Sequence, residues 1–579
     1  MKQVTKKLIL AYSIIVLIKI ILAYFISSPT GFWDEYINSK IARSIFSIKI
    51  INILPEYQLL YPSLLSITYF AKNMEIIYFL IKVINAFIST SIIIPAYLLS
   101  REFLKEKQQI YIPILISILP ANFSFSNYIL AENLFYPLFL FSIYFIYKSS
   151  KENIYKNNIL AAIFISLSFS TKQSGFLLIF IYFITHIVKI IVIKEKLKIK
   201  NLILVILIMS LFILPLLFSN YQKNGFSLTK IFGVTVKDNL ESLTSPTKHE
   251  GYYFFSLTNW IIMNTVITIL ASGIIFFFSS LLILNKIKNK NNLSIFIILV
   301  IVTFIICILA VSNNALGPQP VNLPKIFSYF TSRPISRYLS MLTPLLIVLG
   351  TVGLNDYYEK QTKISLKKII FISLPFFIIS SQLSLDSLLP INNISISFIG
   401  ILKIIINYLI NGTFIPDNLF DLPVFLIMLL LFITLPFTAL LISKLNIKKM
   451  FCLFLVFLII TNSINFSINY YKSKEWSKNE QMQLGLWFNE NDKKISNILF
   501  DINDGVTRKK GSPFSEFNSL FEILNRDQYL TLVGFWMNDN LLFDNVDKLE
   551  NIDYVISTKK LNLPLLKETE KINVYKIKK

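Results

Sequence analysis

Residues 8–26 read LILAYSIIVLIKIILAYFI, a run that is apolar at all but a few positions. A helix of this length can cross a hydrocarbon core of about 30 Å. The sequence Trp33-Asp34-Glu35-Tyr36 follows shortly after it. Two adjacent carboxylates therefore stand at the mouth of the first predicted span, where ionisable groups are costly to bury and indicate function. A plainer role is also open, because Asp34 could simply cap a helix that starts at Glu35.

The composition is typical of a protein that crosses the membrane many times. Of the 579 residues, 54% are hydrophobic and 15% are charged, and the mean hydropathy is +0.62. The net charge is +23, but the chain from Glu475 onward carries 16 acidic and 15 basic residues. The positive excess therefore belongs to the apolar part, as the positive-inside bias predicts, and does not indicate nucleic-acid binding. Cys307 and Cys452 lie in apolar runs and predict no disulfide framework.

Apolar runs predict about thirteen membrane spans, with boundaries that we place at 8–26, 76–99, 110–120, 129–147, 159–170, 175–193, 201–219, 259–284, 293–311, 337–353, 369–382, 424–443 and 451–469. Basic clusters occupy alternate connections, for example Lys194 to Lys200 and Lys444 to Lys449. Positively charged connections stay inside, so the N-terminus is predicted to be cytoplasmic. An odd number of spans then places the C-terminal tail outside a multi-pass protein of the cell membrane.

The chain divides into a transmembrane domain, 1–474, and an external soluble α+β domain, 475–579. The first outer segment, 27–75, mixes apolar and polar positions at helical spacing, which predicts interfacial helices. We place these helices at Glu35 to Ile48 and Leu59 to Phe70, with a further one at 394–412. Strand periodicity in the tail predicts strands at 495–501, 553–558 and 571–577.

Charged residues far apart in sequence are predicted to converge on the outer side: Asp34, Glu35, Glu132, Lys172, Arg333 and Arg337. A carboxylate suits proton abstraction from a hydroxyl, and Lys and Arg suit a phosphate. A site with both types could transfer a group from a phosphate-bearing lipid. Simpler roles are open as well, since Lys172 and Arg337 could snorkel to head groups and Glu132 could form a structural ion pair. Tyr61 and Tyr338 fit an interfacial aromatic belt.

Five motifs resemble those of the GT-C glycosyltransferases, in the branch of the protein O-mannosyltransferases and the aminoarabinose transferases of lipid A. They are the first acidic motif Phe32-Trp-Asp-Glu-Tyr-Ile-Asn-Ser-Lys-Ile-Ala-Arg43, the proline motif Leu60-Tyr-Pro-Ser-Leu64, the second acidic motif Ala131-Glu-Asn-Leu-Phe-Tyr-Pro137, the lysine motif Thr171-Lys-Gln-Ser-Gly175 and the late motif Arg337-Tyr-Leu-Ser-Met-Leu-Thr-Pro344. The chain departs from the pattern in having one proline where relatives often have two, and Ile37 or Asn38 where some have a basic residue.

This resemblance implies a GT-C-like helical membrane fold and the transfer of one sugar, with inversion, from a polyprenyl-phosphate donor. The acceptor would be a protein, a glycan or a lipid on the outer face. Asp34 would be the general base with Glu35 orienting it, and the donor phosphate would bind Lys172, Arg337 and Arg333. Glu132 would contact substrate or metal, with Tyr61 and Tyr338 as further candidates. No cofactor is obligatory, although a divalent cation such as Mg²⁺ or Mn²⁺ could bridge Asp34, Glu132 and phosphate.

Three other functions are compatible with a chain of this kind. A transporter or flippase of lipid-linked sugars predicts charges within several spans and an internal repeat, whereas here the charges stand at span ends. An oligosaccharyltransferase shares the membrane architecture but transfers a whole glycan, and the tail lacks a Trp-Trp-Asp-type peptide-binding motif. A non-catalytic scaffold would tolerate substitution of the charged residues.

Overall fold

The computed structural model describes residues 2–30, 33–47, 58–71, 73–152, 154–194, 199–224, 250–314, 336–360, 393–398, 446–477, 480–491, 498–501, 534–536, 541–542, 553–557, 560–569 and 573–577. Most of them are helical. In chain order the α-helices are α1 Lys2–Tyr24, α2 Trp33–Phe46, α3 Leu60–Ser66, α4 Met74–Thr90, α5 Ile93–Phe103, α6 Gln108–Ser117, α7 Pro120–Phe123, α8 Glu132–Glu152, α9 Tyr155–Thr171, α10 Leu177–Ile193, α11 Ile199–Asn224, α12 Glu250–Ala271, α13 Ile275–Leu281, α14 Asn292–Asn314, α15 Thr343–Lys360, α16 Ile447–Ser477 and α17 Glu480–Asn491.

Membrane-length apolar helices dominate the described residues. Six helical stretches there are long and apolar enough to span a membrane, and two bent helix pairs raise this number to eight. The prediction of a polytopic helical membrane protein is confirmed, whereas the count of thirteen spans is not. The predicted spans at 369–382 and 424–443 lie outside the described residues. Those at 129–147, 159–170 and 201–219 are helical, in α8, α9 and α11.

The predicted span at 259–284 is helical but is interrupted in the structure. Helix α12 ends at Ala271, α13 begins at Ile275, and the two are bent by 111°. Gly273 lies at the break with φ +70°, in the left-handed region that glycine adopts most easily. A Cβ atom there would lie 2.5 Å from Cε2 of Phe454 on α16. The pair Ser272-Gly273 is the local sequence signal for this break, and a hydropathy profile alone does not show it.

The first outer segment contains the two helices that its pattern predicts. Helix α2 covers Trp33–Phe46, and α3 continues into a 3-10 turn at Ile67–Phe70. For the predicted helix at 394–412, the described part contains a 3-10 turn at Ile394–Ile396, and the rest lies outside the described residues. The first acidic motif and the proline motif therefore both lie on helices, as predicted.

Chain direction brings the motif-bearing ends together. Helix α8 begins at Glu132, and α9 packs against it and ends at Thr171, directly before Lys172. Helix α15 begins six residues after Arg337. The motif residues thus stand at one end of the bundle, because α8 and α15 start there and α9 finishes there. Other ion pairs join the far ends of these elements: Lys105 with Glu359, Lys151 with Glu102, and Lys286 with Asp356.

The C-terminal part forms a small sheet with strands β1 Ile498–Asp501, β2 Leu541–Leu542, β3 Tyr554–Ser557, β4 Leu565–Glu568 and β5 Asn573–Lys576. The strand order is β2-β1-β3-β5-β4, parallel between β1 and its two neighbours and antiparallel around β5. Strands β1, β3 and β5 lie within the three predicted strand segments. Phe488 of α17 packs edge-on against Tyr554 of β3 at 5.6 Å between ring centroids, so the helix contacts the sheet.

Candidate functional site

Glu35 fixes the start of α2 to two other segments. Its carboxylate is 1% exposed and accepts hydrogen bonds from the backbone N–H and the hydroxyl of Thr30, at 2.9 Å and 2.5 Å. Its second oxygen accepts the N–H of Ile129 at 3.1 Å. A buried carboxylate is stable only when it is well paired, and these three donors supply the pairing. In this geometry Glu35 holds backbone, and its adjacent neighbour Asp34 is the carboxylate that reaches the other charges.

Asn38, one turn after Asp34, completes the attachment of α2 to the loop before α8. Its amide donates to the carbonyl of Ile129 at 3.3 Å and to the carbonyl of Asp34 at 2.8 Å. Both polar groups of the Ile129 backbone are therefore bound by side chains of α2. The amide of Asn38 therefore helps to fix the first acidic motif against the loop that leads to the second.

Two further side-chain amides, those of Asn133 and Asn85, bind the loop before α8. Asn133 donates to the carbonyls of Phe125, Tyr128 and Leu130 at 3.0–3.1 Å, and Asn85 of α4 donates to that of Tyr128 at 2.9 Å. Sequence analysis missed these amides, although Asn85 in an apolar helix was a visible signal. Their hydrogen bonds fix the backbone that leads into Glu132.

Tyr61 belongs to this support and does not face an interfacial belt. It is fully buried, and its hydroxyl donates to Oδ1 of Asn85 at 3.0 Å. Burial raises the pKa of the Tyr61 phenol above its ordinary value, with the nearby Glu35 charge acting in the same direction. The phenol therefore stays protonated at neutral pH and acts as a hydrogen-bond donor.

Lys172 is placed by a tight turn after α9. Its backbone is extended, its N–H donates to the carbonyl of Ser168 at 3.0 Å, and its carbonyl accepts the N–H of Gly175 at 2.8 Å. A Cβ atom on Gly175 would lie 2.5 Å from the backbone of Phe169, so a side chain does not fit there. The glycine of the lysine motif therefore permits the turn that presents Lys172 to the site.

Four charged side chains meet at this end of the bundle in alternating order. Arg337 donates from Nη2 to Oδ2 of Asp34 at 2.8 Å, and its Nε lies 3.7 Å from Oε1 of Glu132. The ammonium of Lys172 hydrogen-bonds the same Glu132 oxygen. The order is therefore Asp34, Arg337, Glu132 and Lys172, with two charges of each sign contributed by four separate segments.

Exposure divides the four charges into an inner and an outer pair. The side chains of Arg337 and Glu132 are 5% and 3% exposed, whereas those of Asp34 and Lys172 are 26% and 21% exposed. Tyr338 lies between the cations, with its ring centroid 4.8 Å from Lys172 and 5.1 Å from Arg337. A ligand can reach Asp34 and Lys172. The buried pair Arg337 and Glu132 contacts both of them and holds them in place.

The arrangement suits an acid–base reaction at a phosphate-bearing substrate. Asp34 is an accessible carboxylate, and two cations, Lys172 and Arg337, both contact Glu132. Lys and Arg are the usual partners of phosphate in proteins. Among the described residues there is no group of three or more His, Cys, Asp or Glu side chains that could hold a metal ion. The predicted phosphate ligand Arg333 lies outside the described residues.

Residues 54–227 match the family model of dolichyl-phosphate-mannose-protein mannosyltransferase. This match includes Tyr61, Glu132 and Lys172 but covers less than half of the chain. A search of curated protein sequences found no match.

The fold is similar to that of ArnT from Cupriavidus metallidurans. The structure bound to undecaprenyl phosphate has a TM-score of 0.56 and 10% identity, over 98% of this chain and 97% of that one. The apo structure of the same ArnT has a TM-score of 0.53 and 10% identity, over the same shares of the two chains. The apo oligosaccharyltransferase from Archaeoglobus fulgidus has a TM-score of 0.46 and 11% identity, over 94% of this chain and 69% of that one. This chain therefore shares the fold of ArnT, and its residues 54–227 are similar to the dolichyl-phosphate-mannose-protein mannosyltransferases.

Proposed function

We propose that the protein transfers one sugar from a polyprenyl-phosphate-linked donor to a hydroxyl of a protein, glycan or lipid acceptor on the outer face of the membrane. The observation that carries the proposal is Arg337, a buried cation that contacts the carboxylates of both acidic motifs. The match to a dolichyl-phosphate-mannose-dependent family and the fold shared with an ArnT that binds undecaprenyl phosphate support a lipid-phosphate donor.

The reaction is a single displacement at the anomeric carbon. The acceptor oxygen forms a bond to C1 of the sugar while the bond between C1 and the phosphate oxygen breaks, so the configuration inverts. The acceptor proton passes to Asp34, which is the general base. The departing polyprenyl phosphate gains a negative charge, and Arg337 and Lys172 stabilise it. Glu35 takes no direct part, because its oxygens accept hydrogen bonds from Thr30 and Ile129.

The Asp34–Arg337 pair links donor binding to the activation of the base. In the structure Nη2 of Arg337 donates to Oδ2 of Asp34 at 2.8 Å. A donor phosphate that binds Arg337 would compete with Asp34 for this donor, because Arg pairs with phosphate as well as with carboxylate. Donor binding would then leave the Asp34 oxygen to accept the acceptor hydroxyl.

The test uses purified protein in lipid nanodiscs with a panel of synthetic polyprenyl-phosphate sugars. Mass spectrometry follows two products, the glycosylated acceptor and the free polyprenyl phosphate. We expect one sugar per acceptor molecule and one lipid phosphate released per transfer. Transfer of a preassembled oligosaccharide would favour the oligosaccharyltransferase alternative. Movement of intact donor across the bilayer without cleavage would favour a flippase, and either result would overturn the proposal.

A further inference from the structure

A short segment of the C-terminal part is inserted into the membrane-embedded part beside the site. Phe535 and Trp536 are 1% and 0% exposed. Both rings pack edge-on against Tyr78 of α4, with centroid separations of 5.6 Å and 6.3 Å. The segment therefore lies in a packed pocket formed by another part of the chain and does not rest on its surface.

The same segment holds the far end of α2. Arg43 donates from Nη2 to the carbonyl of Phe535 at 2.9 Å, and its guanidinium lies over the ring of Tyr69 at 5.4 Å. Arg43 follows Asp34 by nine residues, about 14 Å along the helix axis. Glu35 ties the first turn of α2 to Thr30 and Ile129. The helix that carries the proposed base is thus held at one end by the membrane domain and at the other by the C-terminal domain.

The apolar cluster around this segment reaches the backbone that leads to Glu132. Besides Phe535 and Trp536, it includes Met482 of α17, Tyr61 of α3 and Ile129. Ile129 is the residue whose backbone is bound by Glu35 and Asn38. A displacement of Trp536 would therefore reach α2 by two routes, through Arg43 and through the Ile129 backbone that Glu35 and Asn38 bind.

The proposed phosphate ligands have a separate origin. Lys172 is set by the turn after α9, and Arg337 lies on the segment before α15. The described hydrogen bond and ring contacts between the inserted segment and the membrane domain are made by Arg43 of α2 and Tyr78 of α4. Loss of the inserted segment should therefore affect the position of Asp34 more than the binding of the donor phosphate.

We propose that Phe535 and Trp536 are positioning residues that fix the C-terminal domain to α2 and so set Asp34 against the acceptor hydroxyl. This inference rests on the proposed function. In this proposal the membrane domain alone forms the donor site, and the inserted segment sets the position of Asp34. Acceptor transfer then depends on contact between the two parts of the chain, whereas retention of the donor does not.

The experiment uses full-length protein in nanodiscs. The double variant Phe535→Ala/Trp536→Ala removes the insertion, Trp536→Phe keeps an aromatic ring, and Trp487→Ala is the matched control. Trp487 lies on α17, is partly exposed and packs with Lys567 at 5.1 Å, outside the cluster. Three quantities are measured: the kcat of sugar transfer, the affinity for polyprenyl phosphate, and the distance between spin labels at Ser47→Cys and Lys560→Cys. The labelled background carries Cys452→Ser, because Cys452 is exposed.

We expect the double variant to lower kcat at least tenfold, to leave the affinity for polyprenyl phosphate within twofold, and to broaden the label distance. Trp536→Phe should recover most of the kcat, and Trp487→Ala should match the parent protein in all three measurements. An unchanged kcat, an unchanged label distance or an equal loss of donor affinity would each overturn the inference. If the parent protein transfers no sugar from any donor, the proposed function fails, and the label distance still decides whether the insertion joins the two domains.

Discussion

Arg337 and Asp34 lie 303 positions apart in the chain, yet Nη2 of Arg337 donates a hydrogen bond of 2.8 Å to Oδ2 of Asp34. Arg337 is almost fully buried, whereas the side chain of Asp34 is 26% exposed. The contact therefore joins an interior cation to a carboxylate that substrate can reach. The two residues should have separable functions, with Arg337 acting on the donor and Asp34 on the acceptor.

Asp34→Asn keeps the size of the side chain and a hydrogen-bond acceptor for Arg337 but removes the base. We expect turnover to fall by about 10²–10⁴-fold, in line with the loss of a general base, while donor affinity changes little. Steady-state transfer and a polyprenyl-phosphate titration on the same preparation measure the two effects. Asp356→Asn is the matched control, since Asp356 also pairs with a cation, Lys286 at 2.7 Å, at the other end of the bundle. Near-normal turnover in Asp34→Asn would transfer the role of base to another group.

Arg337→Ala should chiefly weaken donor binding. Loss of charge-assisted hydrogen bonds to the phosphate should cost about 1.5–3 kcal/mol, which is roughly a tenfold to 150-fold weaker affinity. Arg337→Lys keeps the charge without the planar fork and should fall between the parent protein and Arg337→Ala. Calorimetric titration with polyprenyl phosphate gives these affinities directly. Equal affinity in all three proteins would show that Arg337 does not bind the phosphate.

Much of the fold follows from local sequence. Residues 8–26 predict the apolar helix α1 because hydropathy is a property of the segment itself, and the helical spacing after Trp33 predicts α2. At Gly273 the chain bends between α12 and α13, and a Cβ atom there would meet the ring of Phe454 on α16, a contact that hydropathy does not register. Span prediction treats each run alone, so it joined the two helices on either side of this glycine.

The sequence likewise predicts the charged residues of the site but not the contacts between them. Asp34, Glu132, Lys172 and Arg337 could be selected because charged residues at the ends of apolar runs are costly and conspicuous. Their pairing, the attachment of Ile129 to α2, and the insertion of Trp536 depend on tertiary contacts between distant segments. A single sequence carries no local signal for such partners.

Transfer should not require a metal ion. Lys172 and Arg337 already place two positive charges at the site, and the described residues contain no cluster of three or more metal-ligating side chains. We expect activity in excess EDTA to equal that in buffer, and added Mg²⁺ or Mn²⁺ to raise it less than twofold. Initial rates after dialysis against chelator provide the measurement. A loss of activity that only a divalent cation restores would instead support a metal between Asp34, Glu132 and phosphate.

The predicted orientation places the site and the C-terminal domain on the outer side and the connection at Lys194 to Lys200 inside. Lys560 and Lys200 are both exposed and serve as reporter positions on the two sides. With Cys452→Ser as background, an impermeant maleimide should label Lys560→Cys in intact cells and Lys200→Cys only after permeabilisation. Labelling of both positions under the same condition would contradict the orientation and the outer-face reaction together.

Glu132 should matter for stability as well as for chemistry. Its side chain is 3% exposed and neutralises Lys172 and, at 3.7 Å, Arg337. Glu132→Ala leaves a buried arginine without this carboxylate, which typically costs about 3–5 kcal/mol. The matched control is Glu359→Ala, because Glu359 pairs with Lys105 at 2.8 Å while both side chains are about 60% exposed. Exposed pairs contribute about 0–1 kcal/mol, so this control should unfold almost as the parent protein does. Denaturant titration in detergent micelles, followed by tryptophan fluorescence, compares the two variants. Equal destabilisation would mean that burial of the Glu132 pair adds nothing to the stability of the site.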